Sequence, residues 1–124
     1  MALAIAETDN MVIAREQFSA AATEVAVADI LAGPCRLYGV SVKNGDASTR
    51  YLRLWDAANP VNGTTAPDHV IPITASKTGG LGISEPLVFS TGLSFVMVTV
   101  GGTAGATGPT AATDVVLTLK KGAS

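Results

Sequence analysis

Residues 93–100 (LSFVMVTV) constrain this chain more than any other stretch. In an extended backbone successive side chains point to opposite faces, so Val96, Val98 and Val100 share one face and Leu93, Phe95 and Met97 the other. Both faces are apolar and both need cover, which places the strand centrally in a sandwich or in a subunit interface. In a domain this small, the surplus face bearing Val96 and Val98 predicts self-association, with a trimer favoured.

The remaining apolar runs are also short, and turn residues bound them. Residues 35–44 (CRLYGVSVKN) follow Gly33-Pro34 and run into Asn44-Gly45-Asp46, as a strand entering a tight turn does. In residues 50–56 (RYLRLWD), Leu52 and Leu54 fall on one face and Tyr51, Arg53 and Trp55 on the other. That is a half-buried strand, with residues 44–49 as a hairpin loop before it. Residues 57–68 (AANPVNGTTAPD) hold two prolines, Asn62-Gly63 and no apolar period, so they read as turns with an exposed tip. Pro72 lacks an amide donor and confines residues 70–74 (VIPIT) to a sheet edge. Residues 76–82 (SKTGGLG) read as a flexible loop, and residues 101–113 (GGTAGATGPTAAT) as a low-complexity segment unable to pack a core. Residues 115–119 (VVLTL) close the domain, with Lys120 and Lys121 guarding the strand against edge pairing.

Two periods compete in the first third. Met11, Arg15, Phe18 and Ala22 sit at helical spacing, whereas residues 24–28 (EVAVA) alternate; both stretches are read as strands. The sum is an all-β fold, a small antiparallel β-sandwich or barrel of jelly-roll or immunoglobulin-like kind. With 124 residues there is material for one domain. Residues 23–124 are expected to form it, and residues 1–22 to be either an extended N-terminal arm or the first strands. The arm is expected because the segment has few large apolar side chains beyond Ile5, Met11, Val12, Ile13 and Phe18. Such a segment gains order from a partner, with Ile5, Met11, Val12 and Ile13 adding a strand to a neighbouring sheet edge or lying in an apolar groove.

Composition narrows the function. Eight Lys and Arg against ten Asp and Glu leave a net charge of −2, without the basic excess used to bind nucleic acid. Residues 2–6 (ALAIA) end at Glu7, and no apolar run approaches the roughly 18 residues of a membrane span, so neither a signal core nor a membrane partner is expected. A soluble chain with one thiol suits a reducing cytoplasm. One cysteine, Cys35, and one histidine, His69, cannot build a disulfide framework or a Cys/His zinc site. Residues 82–86 (GISEP) lack the last glycine of a serine nucleophile elbow, and His69 beside Asp68 reads as a loop histidine. Cys35, next to Arg36, reads as a small buried residue. Asp56, Asn59, Asn62 and Asp68 gather oxygen ligands in one loop, but the twelfth position from Asp56 is Pro67 where a calcium loop needs Glu. Capping and Asx-turns account for them. The glycine runs at 79–82 and 101–102 are followed by no Gly-Lys-Ser/Thr and read as turns, as does the sequon Asn62-Gly63-Thr64. No catalytic residue, cofactor or metal ligand is assigned, and the chain is read as a non-enzyme. The interface candidate within the domain is the face of Tyr51, Arg53 and Trp55, residue types enriched at protein contacts; the alternative packs Trp55 under the following loop.

The order Leu37-Tyr38-Gly39-Val40-Ser41-Val42-Lys43-Asn44, then Tyr51-Leu52-Arg53-Leu54-Trp55-Asp56-Ala57-Ala58-Asn59-Pro60, then Gly63-Thr64-Thr65-Ala66-Pro67-Asp68 and Val70-Ile71-Pro72-Ile73, resembles small virion structural proteins of tailed bacteriophages. Gly92-Leu93-Ser94-Phe95 and Gly102-Thr103-Ala104-Gly105 match later features of the same pattern, which covers about residues 24 to 119. The resemblance implies a capsid decoration, or cement, protein that stabilises the major capsid protein lattice, or else a head-to-tail, neck or tail component. Such proteins are β-rich, oligomeric and made in the bacterial host cytoplasm before joining the virion. From another class, a carbohydrate-binding module for host attachment also fits the residues.

Overall fold

In a computed structural model, which describes residues 3–8, 11–19 and 21–122, the chain is all-β. These residues form the strands β1 (Ala4–Thr8), β2 (Met11–Phe18), β3 (Cys35–Asn44), β4 (Arg50–Asp56), β5 (His69–Ile73), β6 (Thr78–Phe89), β7 (Leu93–Val98) and β8 (Thr113–Lys121). A five-stranded antiparallel sheet runs in the order β1-β2-β8-β3-β6, and a three-stranded one in the order β5-β4-β7. Their facing sides make one core, as expected for a small β-sandwich.

Period-two alternation builds that core. On β8, Thr113, Val115, Leu117 and Leu119 are buried while Asp114, Val116, Thr118 and Lys120 point the other way. Val12, Ala14 and Phe18 of β2 and Leu37, Val40 and Val42 of β3 extend the inner layer. From the small sheet come Leu52, Leu54, Phe95 and Met97. The Phe18 and Phe95 rings meet edge to face at 5.9 Å and join the two layers.

Several expectations need correction. The N-terminal segment is no arm: β1 and β2 are the first strands, and β2 is paired on both sides, with β1 and β8. Val12 is wholly buried there; residues 1, 2, 9, 10 and 20 of the segment lie outside the described part. Residues 44–49 are not a hairpin loop, because β3 and β4 lie in different sheets and the loop crosses between them. β8 needs no guarding lysines, since β2 and β3 flank it. The glycines at 79, 80 and 82 belong to strand β6 and not to a loop. A Cβ at Gly80 would collide with the Val40 carbonyl oxygen, so glycine is what lets β6 pair closely with β3. Residues 24–28 form no strand, and Val27 makes an isolated bridge to Phe95. Pro72 does lie on an edge strand, opposite Tyr51. Among the described residues, no helix is long and apolar enough to cross a membrane.

Candidate functional site

The strand with two apolar faces, β7, is an edge strand, yet all six of its residues are buried. Phe95 and Met97 face the core. Val96 and Val98 stand opposite Arg53 and Tyr51 on the other side of the small sheet, and the chain itself covers that side. The bridge Val27–Phe95 and the bond from Ile30 N to the Leu93 carbonyl close the open edge. The surplus face that suggested a partner is therefore satisfied within one chain, and Val96 and Val98 are not accessible contact residues.

Arg53 organises the cover. Its side chain is fully buried, and its Nη1 donates to Asn62 Oδ1 and the Gly105 carbonyl, both at 2.7 Å. Its Nη2 donates to the carbonyls of Val100 at 3.2 Å and Ala104 at 2.9 Å, while Nε has no partner. Asn62 Nδ2 donates to the Glu24 carbonyl at 2.8 Å, and Glu24 N to the Ala106 carbonyl. One guanidinium thus ties residues 24, 62 and 100–105 over the sheet. Burial lowers the Arg53 pKa from its ordinary value. Trp55 is buried, and its Nε1 donates to the Thr65 carbonyl at 3.0 Å, so it packs under the following loop. Of the face Tyr51, Arg53 and Trp55, only Tyr51 retains partial exposure, and it lies beside Gly101. The low-complexity segment supplies backbone carbonyls in place of packing side chains, a role that its composition hides.

Two aspartates anchor other loops. Asp46, nearly buried, accepts from Arg50 Nε, Thr110 N and Thr110 Oγ1, each at 2.7 Å, and from Ala47 N at 2.8 Å. Burial alone would raise its pKa, but these donors outweigh it and hold the carboxyl well below the usual range. Beside it, Asn44 Nδ2 donates to the carbonyls of Ser48, Ile73 and Thr74. Asp56 accepts from the amides of Ser90, Thr91 and Gly92; burial pushes its pKa up, and those three bonds bring it below the ordinary value.

The residues singled out for chemistry are dispersed. Cys35 is wholly buried, and burial, with the charges of Asp56 and Asp29, pushes its thiol up to about 11. His69 is exposed at the start of β5 with its ring edge to Phe89 at 6.0 Å. The side chains of Ile83 and Ser84 lie outside the described part. Asp56, Asn62 and Asp68 turn their side chains to different partners: Asn62 serves Arg53, Asp56 serves residues 90–92, and Asp68, next to it, accepts the Asp56 amide at 2.7 Å. Among the described residues, no group of three or more His, Cys, Asp or Glu is placed to hold a metal ion. A cavity of about 250 Å³ is lined by Glu16, Phe18, Ser19, Ala21 and Glu24 among others. Burial raises the pKa of both glutamates there, and Glu16 adds to the shift of Glu24.

The outer side of the five-stranded sheet is the broad uncovered face. Its rows run Met11, Lys120, Arg36 and Val88; then Ile13, Thr118, Gly39 and Gly82; then Arg15, Val116, Ser41 and Gly80; then Gln17, Asp114, Lys43 and Thr78. A bulge between Leu37 and Gly39 turns Tyr38 outward, where Lys120 Nζ lies 5.3 Å from its ring centroid and Arg36 Nη1 donates to its hydroxyl at 3.4 Å. Of the N-terminal candidates, Met11 and Ile13 are half-buried on this face, Ile5 is exposed on β1 opposite Ala14, and Val12 is in the core.

Set against protein families, curated proteins and solved structures, the chain matches none.

Proposed function

We propose that the protein is a structural component of a tailed-bacteriophage virion, a capsid decoration protein that binds the assembled lattice of the major capsid protein. The observation that carries this reading is the use made of the polar side chains in the phage-like pattern. Asn44, Arg53, Trp55 and Asp56 all pin loops onto the sandwich. Such a rigid block acts through its surfaces, and repetition over a particle lets modest contacts hold a shell together.

A reconstruction of the intact particle from a host that produces this chain tests the reading. The expected result is sandwich-shaped density on the outside of the head, in many copies, against the major capsid protein. Density at the neck or tail would replace the decoration role with that of a connector or tail component. Particles lacking the chain would overturn the virion reading altogether.

A further inference from the structure

The charges of this protein are unevenly shared between its surfaces. The outer face of the five-stranded sheet carries Arg15, Arg36, Lys43 and Lys120 against Asp114, an excess of three positive charges, which leaves an excess of five negative charges on the remainder of a chain of net charge −2. Counting in Glu85, exposed at the irregular edge strand β6, still leaves the face positive by two. Asp114 is bonded to Gln17 Nε2 at 2.7 Å, and Arg36 and Lys120 are steadied by Tyr38. Between the cations lie Met11, Ile13 and Val116, with Gly39, Gly80 and Gly82 leaving one side of the face level with the backbone.

Carboxylates gather at the end of the sandwich where β4 finishes and β7 begins. Asp56 holds the amides of residues 90–92, Asp68 accepts the Asp56 amide, and Asp29 Oδ1, bonded to Gly33 N at 2.9 Å, lies against Gly92. Among the described residues none of the three is paired with a cation; the ion pair present is Asp46 with Arg50.

We infer that the basic sheet face docks onto the acidic Asp29, Asp56 and Asp68 end of a second copy of this chain, head to tail. Two copies placed face to face would oppose like charges, which disfavours the symmetric dimer that a flat sheet otherwise invites. A polyanion such as nucleic acid would leave Met11, Ile13 and Val116 uncovered and would meet a chain of net negative charge. A head-to-tail contact joins two different patches, so it propagates into a ring or a chain of copies, a ring of three being one closed solution. The face spans about 19 Å across its strands and about 20 Å along them, below the roughly 800 Å² per partner of a standard interface. The contact is therefore weak and sensitive to salt. The inference stands whether or not the protein belongs to a virion.

Sedimentation velocity up to about 1 mM protein, in about 20 mM and about 500 mM NaCl, reads it directly, because the screening length falls from about 20 Å to about 4 Å between those salts. Association at low salt, weakened at least about tenfold at high salt, is expected. The double variant Arg15→Glu, Lys120→Glu and the separate variant Asp68→Lys should each lose self-association while melting cooperatively. Mixing the two should restore pairing, because the unaltered basic face of the Asp68→Lys chain then meets the unaltered acidic end of the double variant. A single 12.5 kDa species at every concentration and salt overturns the inference. So does association indifferent to salt and charge reversal, or a mixture that stays monomeric. Lys43→Glu, at an exposed position on the same face, replaces the double variant if that one fails to fold.

Discussion

Arg53 and Asn62 meet at 2.7 Å, and through this contact one strand residue orders segments that have no strands of their own. The guanidinium is buried beneath carbonyl oxygens and an amide oxygen, without a carboxylate among its bonded partners. Hydrogen bonds to a charged group contribute about 1.5–3 kcal/mol each, enough here to offset the desolvation of the cation. The sheet face expected to meet a partner is thereby roofed.

Arg53→Met is expected to cost about 3–5 kcal/mol in urea denaturation, because the carbonyls of residues 100, 104 and 105 lose their donor. Arg53→Lys should recover little, since one ammonium cannot span both sides of the fork. Limited proteolysis of the lysine variant should cut first between residues 100 and 106. Wild-type stability in either variant would refute the anchoring role.

The depressed pKa of Asp46 gives acid sensitivity. Its contribution is complete above the unfolded value of about 3.9 and is lost as pH falls toward the folded value. Asp46→Asn should therefore destabilise the protein by about 2–3 kcal/mol at pH 7 and by progressively less below pH 4. Urea midpoints measured across pH 2–7 check this.

Glu16 behaves oppositely. Its raised pKa means that the fold is favoured while the carboxyl is protonated, and that this advantage declines as pH rises through the folded value. Glu16→Gln is expected to raise the thermal midpoint at pH 7 and to leave it unchanged near pH 4. A variant less stable than wild type at pH 7 would contradict the burial argument.

Deleting residues 1–22 should abolish the cooperative melt. The truncation removes Val12, Ala14 and Phe18 from the core and exposes the β8 edge that β2 covers. The single change Phe18→Ala should cost about 3–5 kcal/mol. A truncated chain that still melts cooperatively would revive the arm.

Cys35 should react with a disulfide reagent at neutral pH only as the chain unfolds, at least about tenfold more slowly in native protein than in urea. The buried thiol, pushed up to about 11, provides almost no thiolate. Fast stoichiometric labelling of native protein would show that the start of β3 opens.

Local pattern determined the strands in this protein. The alternations of residues 50–56 and 115–119, the edge position of Pro72 and the all-β class follow from side-chain period and turn chemistry, which act over a few residues. Tertiary structure decided which surfaces remain free. Alternation shows that Arg53 and Trp55 share a face, but only the return of residues 57–68 and 100–105 over that face buries them. The same limit hid the central place of β2, because Val12 and Phe18 find their cover more than 70 residues away in sequence, on β7 and β8. Their neighbours along the chain carry no trace of it.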